Sequence, residues 1–145
     1  MTGQLTLGFL FTCVTIGMAV GFIVILFEAL DYSVPRLAAM TSPVRDAIIL
    51  FFSIVWMMIG IVTIVFAWAL LFLHLGLFTG LEEAFYFALI STTTVGYGDV
   101  ILPEPSRILA GFAAADGFII FGLDTAVLFE ILRQLRVQRT GTAAP

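Results

Sequence analysis

One short segment contains most of the residues whose types and spacing could do chemistry. Residues 92–99 read TTTVGYGD and combine hydroxyl groups, two glycines and a carboxylate. Glycines permit left-handed backbone angles at little steric cost, so successive carbonyl oxygens can turn to one side, which an ordinary strand does not allow. The chemistry available is therefore ligation by oxygen atoms rather than a covalent reaction. The chain has one cysteine and one histidine, which leaves no zinc-site, disulfide or catalytic-triad pattern.

This string resembles the signature of the potassium channel family, in which TVGYG forms the selectivity filter. The resemblance implies that backbone carbonyls, with the Thr94 hydroxyl at the cavity end, replace the water around a dehydrated K⁺ ion. The residues that would form this ion site are Thr94, Val95, Gly96 and Tyr97, with Gly98 completing the filter. K⁺ is then the permeant ion, and no cofactor is expected. The alternative is a glycine-rich turn between two helices, against which the flanking spanning segments argue.

The resemblance also assigns supporting roles around the filter. Asp99 would lie just outside it and hydrogen-bond an aromatic residue of the pore helix, which matching back from the filter identifies as Tyr86. Tyr97 would point away from the axis and brace the filter from behind. Some members of the family have a second acid behind the filter, but this chain has Ile90 there. We therefore expect less polar support at that position.

Composition places most of the chain in lipid. The 145 residues are 61% hydrophobic and 11% charged, whereas soluble domains are about 25% charged. The basic residues are all arginines, and no basic patch with interleaved aromatic residues occurs, which argues against nucleic-acid binding. The first apolar run has no preceding positive charge and is too long for a signal peptide, so we expect a retained transmembrane helix. Membrane lipids are the expected surroundings.

The apolar runs predict an all-α membrane protein with three transmembrane helices plus a re-entrant pore helix and filter loop. The helix before the filter is too short to span a membrane and must enter it and turn back. Because the chain has one pore loop, the resemblance implies a homotetramer around a central pore. The expected parts are a peripheral N-terminal transmembrane helix at 1–30, a cytoplasmic loop at 31–45, a pore domain at 46–139 and a short tail at 140–145. Within the pore domain we expect an outer helix at 46–78, a pore helix at 80–93, the filter at 94–98 and an inner helix at 106–137.

Two local patterns predict how the helices begin and pack. Thr79 and Glu82 have the spacing of a capping box at the start of the pore helix. Gly17 and Gly21 form a GxxxG pair, which permits close backbone approach to another helix. Such pairs are frequent in membrane helices, so this pair alone does not identify a particular contact.

The arginines predict the orientation. Three of them lie at the end of the last helix and two lie in the loop between the first two helices. The positive-inside rule then places the C-terminus in the cytoplasm and the N-terminus outside, with the re-entrant loop entering from outside. Small size and economy indicate a prokaryotic plasma membrane. The first helix carries no arginine and is not a voltage sensor.

The inner helix carries candidates for the cavity and the gate. By the resemblance, Gly117 falls near the hinge of the family's inner helix, with Gly122 about a turn beyond. Bending at a gate and close packing of neighbouring inner helices both explain such glycines. A stripe at helical spacing would face and narrow the cavity, or would fill the core of the bundle; its members are Phe118, Phe121, Thr125 and Phe129.

Three acids in the same helix need explanation, since a carboxyl group at membrane depth is costly and often functional. For Asp116 we favour structural hydrogen bonding to a residue such as Ser53 or Thr63. Asp124 either flanks the cavity and attracts cations or is hydrogen-bonded in the same way. Glu130 lies near the cytoplasmic mouth, where it forms an acidic ring or a solvated helix end.

Two other functions stay open. A weakly selective cation pore would be built identically and would show comparable sodium and potassium permeability. A non-conducting subunit that regulates a partner has no need of an intact filter string, which argues against it. A transporter is disfavoured because potassium transporters of related design carry several degenerate pore loops in one chain.

Overall fold

The computed structural model of the protein describes residues 2–37 and 41–140, and those residues form helices and loops without a strand. Three helices are long and apolar enough to cross a membrane, which confirms the predicted all-α membrane fold. The helices are α1 (Thr2–Ser33), α2 (Ser42–His74), α3 (Leu81–Thr92) and α4 (Arg107–Thr140). Short 3₁₀ turns occupy Val34–Leu37 and Glu104–Ser106. Part of the expected loop at 31–45 (38–40) and most of the tail (141–145) lie outside the described residues.

Helix α2 begins four residues earlier than the sequence predicted. Thr41 is the N-terminal cap, and its carbonyl accepts hydrogen bonds from the amides of Val44 and Arg45. Pro43 lies in the first turn, where its missing N–H would have no helical partner anyway. Pro43, which the sequence predicted to lie in the loop, therefore lies in the first turn of the helix instead.

Helix α2 also ends earlier than predicted, at His74 rather than residue 78. Gly76 has a φ of +68°, a left-handed conformation that glycine adopts without a steric penalty. The Gly76 amide donates to the Leu73 carbonyl at 2.9 Å, and the Leu77 amide donates to the Phe72 carbonyl at 3.1 Å. These two bonds form a Schellman motif, which satisfies the last carbonyls of the helix and turns the chain towards α3.

The predicted capping box at the start of α3 is wrong. Gly80 is the N-terminal cap and no side chain caps the helix, while Thr79 lies in the preceding bend. Glu82 and Glu83 do lie in the first turn, where negative charge favours the positive end of the helix dipole. Electrostatics rather than a capping hydroxyl therefore favours the start of this helix.

Helix α1 packs against both α2 and α4 through a face of mostly small residues. The buried members of this face are Gly8, Thr12, Thr15, Ala19 and Leu26. A Cβ atom at Gly8 would overlap the ring of Phe112, so the two helices approach closely there. The GxxxG pair lies elsewhere on the helix, because nothing lies within 4 Å of a Cβ position at Gly17 or Gly21. Within the described chain, the close contact of α1 uses a different set of small residues from the predicted pair.

The main core joins all four helices around aromatic rings. Ring centroids are 4.7 Å apart for Phe11 and Trp68, 5.7 Å for Trp68 and Phe72, and 5.4 Å for Phe72 and Phe87. Trp68 and Phe72 are completely buried. Edge-to-face contacts between such rings add to the free energy of burying them. This core fixes α3 between α2 and α4, and so fixes the segment that follows α3.

Candidate functional site

The segment at 94–98 has a backbone in which left-handed residues alternate with ordinary ones. The φ angles are +59° at Thr94, +49° at Gly96 and +78° at Gly98, while Val95 and Tyr97 do not have positive φ. In a regular strand successive carbonyls point to opposite sides, and reversing φ at every second residue removes that alternation. The left-handed glycines are those that the sequence predicted. Thr94 was not predicted to adopt this conformation, which is uncommon for a side chain branched at Cβ.

The last turn of α3 anchors this segment. Thr93 caps the helix, the Thr94 amide donates to the Ser91 carbonyl at 2.9 Å, and the Gly96 amide donates to the Ile90 carbonyl at 3.0 Å. The buried Thr92 hydroxyl bonds back to the carbonyl of Ala88. The chain therefore folds tightly over the C-terminal end of α3, where the helix dipole is negative.

A hydrogen bond closes the far side of the segment. The Tyr86 hydroxyl donates to Asp99 Oδ2 at 2.6 Å, and these are the two residues that the resemblance pairs. The bond holds the pKa of the Asp99 carboxyl below its usual range and raises the pKa of the Tyr86 hydroxyl. Ile90, in the position behind the segment, is buried. That the pair supports a filter remains a prediction.

The side chains of the 94–98 segment are mostly exposed. Tyr97 is 72% exposed and Val95 is 52% exposed, so the described residues cover little of either side chain. That Tyr97 braces the filter from behind stays a prediction. Neighbouring exposed apolar side chains such as these are typical of a surface that contacts protein or lipid.

Gly117 makes a contact that neither proposed role had named. It is buried, and a Cβ atom there would overlap the carbonyl oxygen and carbon of Thr92, the last residue of α3. The backbones of α4 and α3 therefore touch at this point, and glycine is the residue that permits it. Gly122 differs, since it is exposed and nothing lies within 4 Å of a Cβ position there.

The aromatic stripe on α4 faces away from the rest of the chain. Phe118 is 75% exposed and Phe129 is 71% exposed, and Phe121 and Thr125 are also exposed. The Thr125 hydroxyl bonds to a carbonyl of its own helix, that of Phe121. The stripe therefore does not fill the core of a single chain.

Asp116 is completely buried and hydrogen-bonded across two helix interfaces. Its Oδ2 accepts hydrogen bonds of 2.7 Å from the Thr15 hydroxyl of α1 and of 2.7 Å from the Trp68 indole N–H of α2. Structural bonding is therefore present, but the suggested partners are wrong. Ser53 and Thr63 each donate to a carbonyl one turn back in α2 instead. An indole N–H in an apolar core needs an acceptor. The presence of Trp68 within a long uncharged run was therefore a feature of the sequence that could have indicated this contact.

The other two acids of α4 have different surroundings. Asp124 is half-buried beside α1 and α2, near Phe22 and Trp56, with no hydrogen bond or ion pair to any described residue. Glu130 accepts hydrogen bonds of 2.7 Å from Arg133 and 2.9 Å from Gln134. The Arg133 charge offsets that of Glu130; whether Glu130 belongs to an acidic ring or to a solvated helix end stays open.

An ion-pair cluster at the opposite end of the chain was not found from the sequence. Asp46, at the start of α2, is buried and pairs with Arg139 of α4 at 2.7 Å and with Arg45 at 3.2 Å. The sequence feature that could have indicated this cluster is the pair Arg45 and Asp46, which stands at the start of an otherwise uncharged run. The cluster connects the last turn of α4 to the N-terminal end of α2.

Two spanning helices that flank a short helix and a glycine-containing loop have the architecture of a channel pore domain. A family model described as "Ion channel" matches residues 61–134, which cover the C-terminal part of α2, all of α3, the 94–98 segment and most of α4. The chain therefore belongs to this ion channel family, whose pore is of the potassium-channel type. Helix α1 lies outside the matched residues. No curated protein and no solved structure matches the chain.

Proposed function

We propose that the protein is a potassium-selective channel that conducts K⁺ passively through a homotetrameric pore. The observation that carries the proposal is the alternation of left-handed residues at 94, 96 and 98, placed directly after a helix too short to span. Such a backbone can present a row of carbonyl oxygens to one side, and rings of carbonyls are what replaces the hydration shell of K⁺. No covalent step is involved.

The ion site consists of backbone carbonyls of residues 94–97, with the Thr94 hydroxyl at the inner end. The C-terminal end of α3 carries partial negative charge, and the 94–98 segment lies directly beside that end of the helix. Both features favour a dehydrated cation over an anion. They also leave the ion mobile, since each oxygen binds it weakly.

Four copies are needed because one chain supplies only one wall of the site. The exposed apolar groups of the segment and of α4 would be covered or would face the shared pore in such an assembly. Tyr97 would then pack against a neighbouring copy rather than within its own chain. The exposed phenylalanines of α4, Phe118, Phe121 and Phe129, would line the cavity and narrow it, where a hydrophobic constriction can gate by dewetting.

The arginine distribution supports an orientation with the N-terminus outside the cell. Arg36, Arg45 and Arg139 lie at the end of the molecule where α1 finishes, α2 begins and α4 ends, whereas Arg107 lies at the filter end. The positive-inside rule then makes the filter end external. K⁺ would meet the filter first when it enters the cell.

The test is the reversal potential of purified protein in planar bilayers with potassium on one side and sodium on the other. We expect a value near the potassium equilibrium potential. Gly96→Ala should abolish this selectivity, because its φ of +49° is strained for any side chain. Gly76→Ala is the matched control: it introduces the same strain at φ +68° in the α2–α3 turn, outside the filter, and should preserve selectivity in whatever protein assembles.

A weakly selective cation pore is the second candidate, and one observation favours it. The position behind the segment is the buried, apolar Ile90 rather than a second acid, which gives the filter fewer polar restraints. A reversal potential near zero with robust current would support this candidate against potassium selectivity. Absence of current under every voltage, tension and pH would leave a closed gate and a non-conducting subunit as the two explanations, and a search for a partner would follow.

A further inference from the structure

Helix α1 is held against the pore more tightly than a peripheral helix needs to be. It lies outside the residues that match the ion channel family. It nevertheless approaches α4 so closely that a Cβ atom at Gly8 would overlap Phe112. Two turns further along, the Thr15 hydroxyl reaches Asp116 of α4. These contacts lie in the half of α1 nearest to the filter.

The Asp116 carboxyl joins three helices at one oxygen atom. Oδ2 receives the Thr15 hydroxyl and the Trp68 indole N–H, each at 2.7 Å, and all three residues are completely buried. The Thr15 hydroxyl also lies near two carbonyls of its own helix, at 2.9 Å and 3.1 Å, but its contact to Asp116 is the shortest. A buried carboxyl is costly without donors, and Oδ1 has none among the described residues. The two donors to Oδ2 therefore favour the height and rotation of α4 that keep them in reach.

The residue after Asp116 touches the base of the filter segment. Successive residues of an α-helix are separated by about 100° around its axis, so Asp116 and Gly117 face different neighbours. Asp116 faces α1 and α2, whereas Gly117 lies against the carbonyl of Thr92. Thr92 is the last residue of α3, two residues before Thr94. Backbone meets backbone here, with no side chain between them that could absorb a displacement.

We propose that Thr15, Trp68 and Asp116 form a positioning site through which α1 and α2 hold α4 against the base of the 94–98 segment, so that α1 contributes to ion selectivity. The inference rests on the proposed function, because it requires that this segment select the ion. Apolar contacts alone let two helices slide over one another, since the hydrophobic effect has no direction. Two hydrogen bonds to one oxygen remove that freedom at the height where α4 meets Thr92.

The experiment compares two tryptophans that donate across helix interfaces. Trp68→Phe removes the indole donor to Asp116 and keeps an aromatic ring in the core. Trp56→Phe is the matched control, because its indole N–H donates across the α1–α2 interface to the Phe22 carbonyl at 2.9 Å without contacting Asp116 or Gly117. The measured quantity is the potassium-to-sodium permeability ratio from bilayer reversal potentials, on protein shown to be tetrameric by size-exclusion chromatography.

We expect Trp68→Phe to lower the permeability ratio roughly threefold to tenfold, the factor that corresponds to the net free energy of one hydrogen bond. Trp56→Phe should leave the ratio unchanged. Thr15→Val removes the other donor with little change in shape and should lower the ratio similarly, while Thr15→Ser should restore it. If Trp68→Phe does not assemble, the threonine pair decides the question.

A role in general helix packing predicts a different pattern. It would make both tryptophan variants less stable and leave the permeability ratio of both at the wild-type value, or would lower the two ratios equally. Either result would overturn the inference while potassium selectivity of the wild type stands. A wild-type protein without selectivity would overturn the proposed function itself, and the inference with it, so the two failures are distinguishable.

Discussion

We call the half of the chain that contains the 94–98 segment the filter half, and the opposite half, which the proposed orientation places inside the cell, the cytoplasmic half. These two halves are held together in different ways. In the filter half, α2, α3 and α4 meet around buried aromatic rings such as Trp68 and Phe72, and Asp116 adds hydrogen bonds within that core. In the cytoplasmic half the buried hydrophobic residues are aliphatic or methionine, and the partly buried Trp56 packs against them; they are Leu26, Ile49, Met57, Ile131 and Leu135. An ion pair between Asp46 and Arg139 borders that second core.

This difference indicates where the molecule is fixed and where it can move. Aromatic contacts and buried hydrogen bonds are directional, so they restrain helices in one arrangement. Aliphatic side chains and methionine repack at lower cost. We therefore expect a rigid filter and a cytoplasmic end of α4 that can change position.

The largest expected effect comes from adding one carbon atom in the filter half. Gly117→Ala would drive a Cβ atom into the Thr92 carbonyl, and backbone cannot swing aside as a flexible side chain can. We expect a loss of tetramer stability of about 2 kcal/mol or more, together with loss of K⁺ flux, measured by thermal denaturation in detergent and by vesicle flux assay.

Gly122→Ala is the control for this prediction, because nothing lies within 4 Å of a Cβ position at Gly122. It should retain tetramer stability and flux. Equal damage by the two substitutions would show that bending of α4, rather than its contact with Thr92, is what requires glycine.

The second prediction concerns the pH dependence of the filter half. The Tyr86 hydrogen bond lowers the pKa of Asp99, so its stabilising effect is present above the ordinary carboxyl pKa and is lost as pH falls through the lowered value. Tyr86→Phe removes the bond and lets the pKa of Asp99 return towards its usual range. The loss of K⁺ conductance on external acidification should therefore begin at a higher pH in the variant.

Tyr32→Phe is the control for the pH experiment, since Tyr32 is exposed and lies at the end of α1. Its K⁺ conductance should fall over the same range of external pH as that of the wild type. If the conductance of Tyr86→Phe and that of the wild type fell over the same pH range, protonation of the Asp99 carboxyl would not control conduction.

The parts of the site that depend on local pattern were predictable. Gly96 and Gly98 predicted a left-handed backbone. The unbroken apolar runs predicted the three helices that are long enough to span a membrane. Helix ends were predicted less well. Pro43 fits the first turn of a helix as well as a loop, and Gly76 rather than a polar residue ended α2.

The hydrogen bonds of Asp116 could not be predicted in the same way. Its partners are separated from it by 101 residues for Thr15 and by 48 residues for Trp68. Threonine and tryptophan are also common in membrane helices without any such role. Only the packing of α1, α2 and α4 brings the three together, and the same packing shows that Gly117 contacts α3.

The smallest expected effect belongs to the cytoplasmic half. Arg139→Gln breaks the 2.7 Å ion pair with Asp46. Because the arginine is half exposed, the free energy of unfolding should fall by about 0.5 kcal/mol. We expect about a twofold change in the ratio of open to closed times in single-channel records, with the permeability ratio unchanged. Arg107→Gln, which breaks an exposed 3.8 Å pair with Glu104 at the filter end, should change neither. An altered permeability ratio in Arg139→Gln would contradict the division between a rigid and a movable half.

The most direct test of the central claim is to locate the bound ion in crystals of the tetramer grown with Tl⁺ in place of K⁺. The account predicts anomalous density on the four-fold axis, in a row beside the carbonyl oxygens of residues 94–97. A tetramer with an ordered 94–98 segment and no ion beside those carbonyls would contradict it. So would ions held only by side-chain carboxylates, because selection would then not depend on the alternating backbone of the segment.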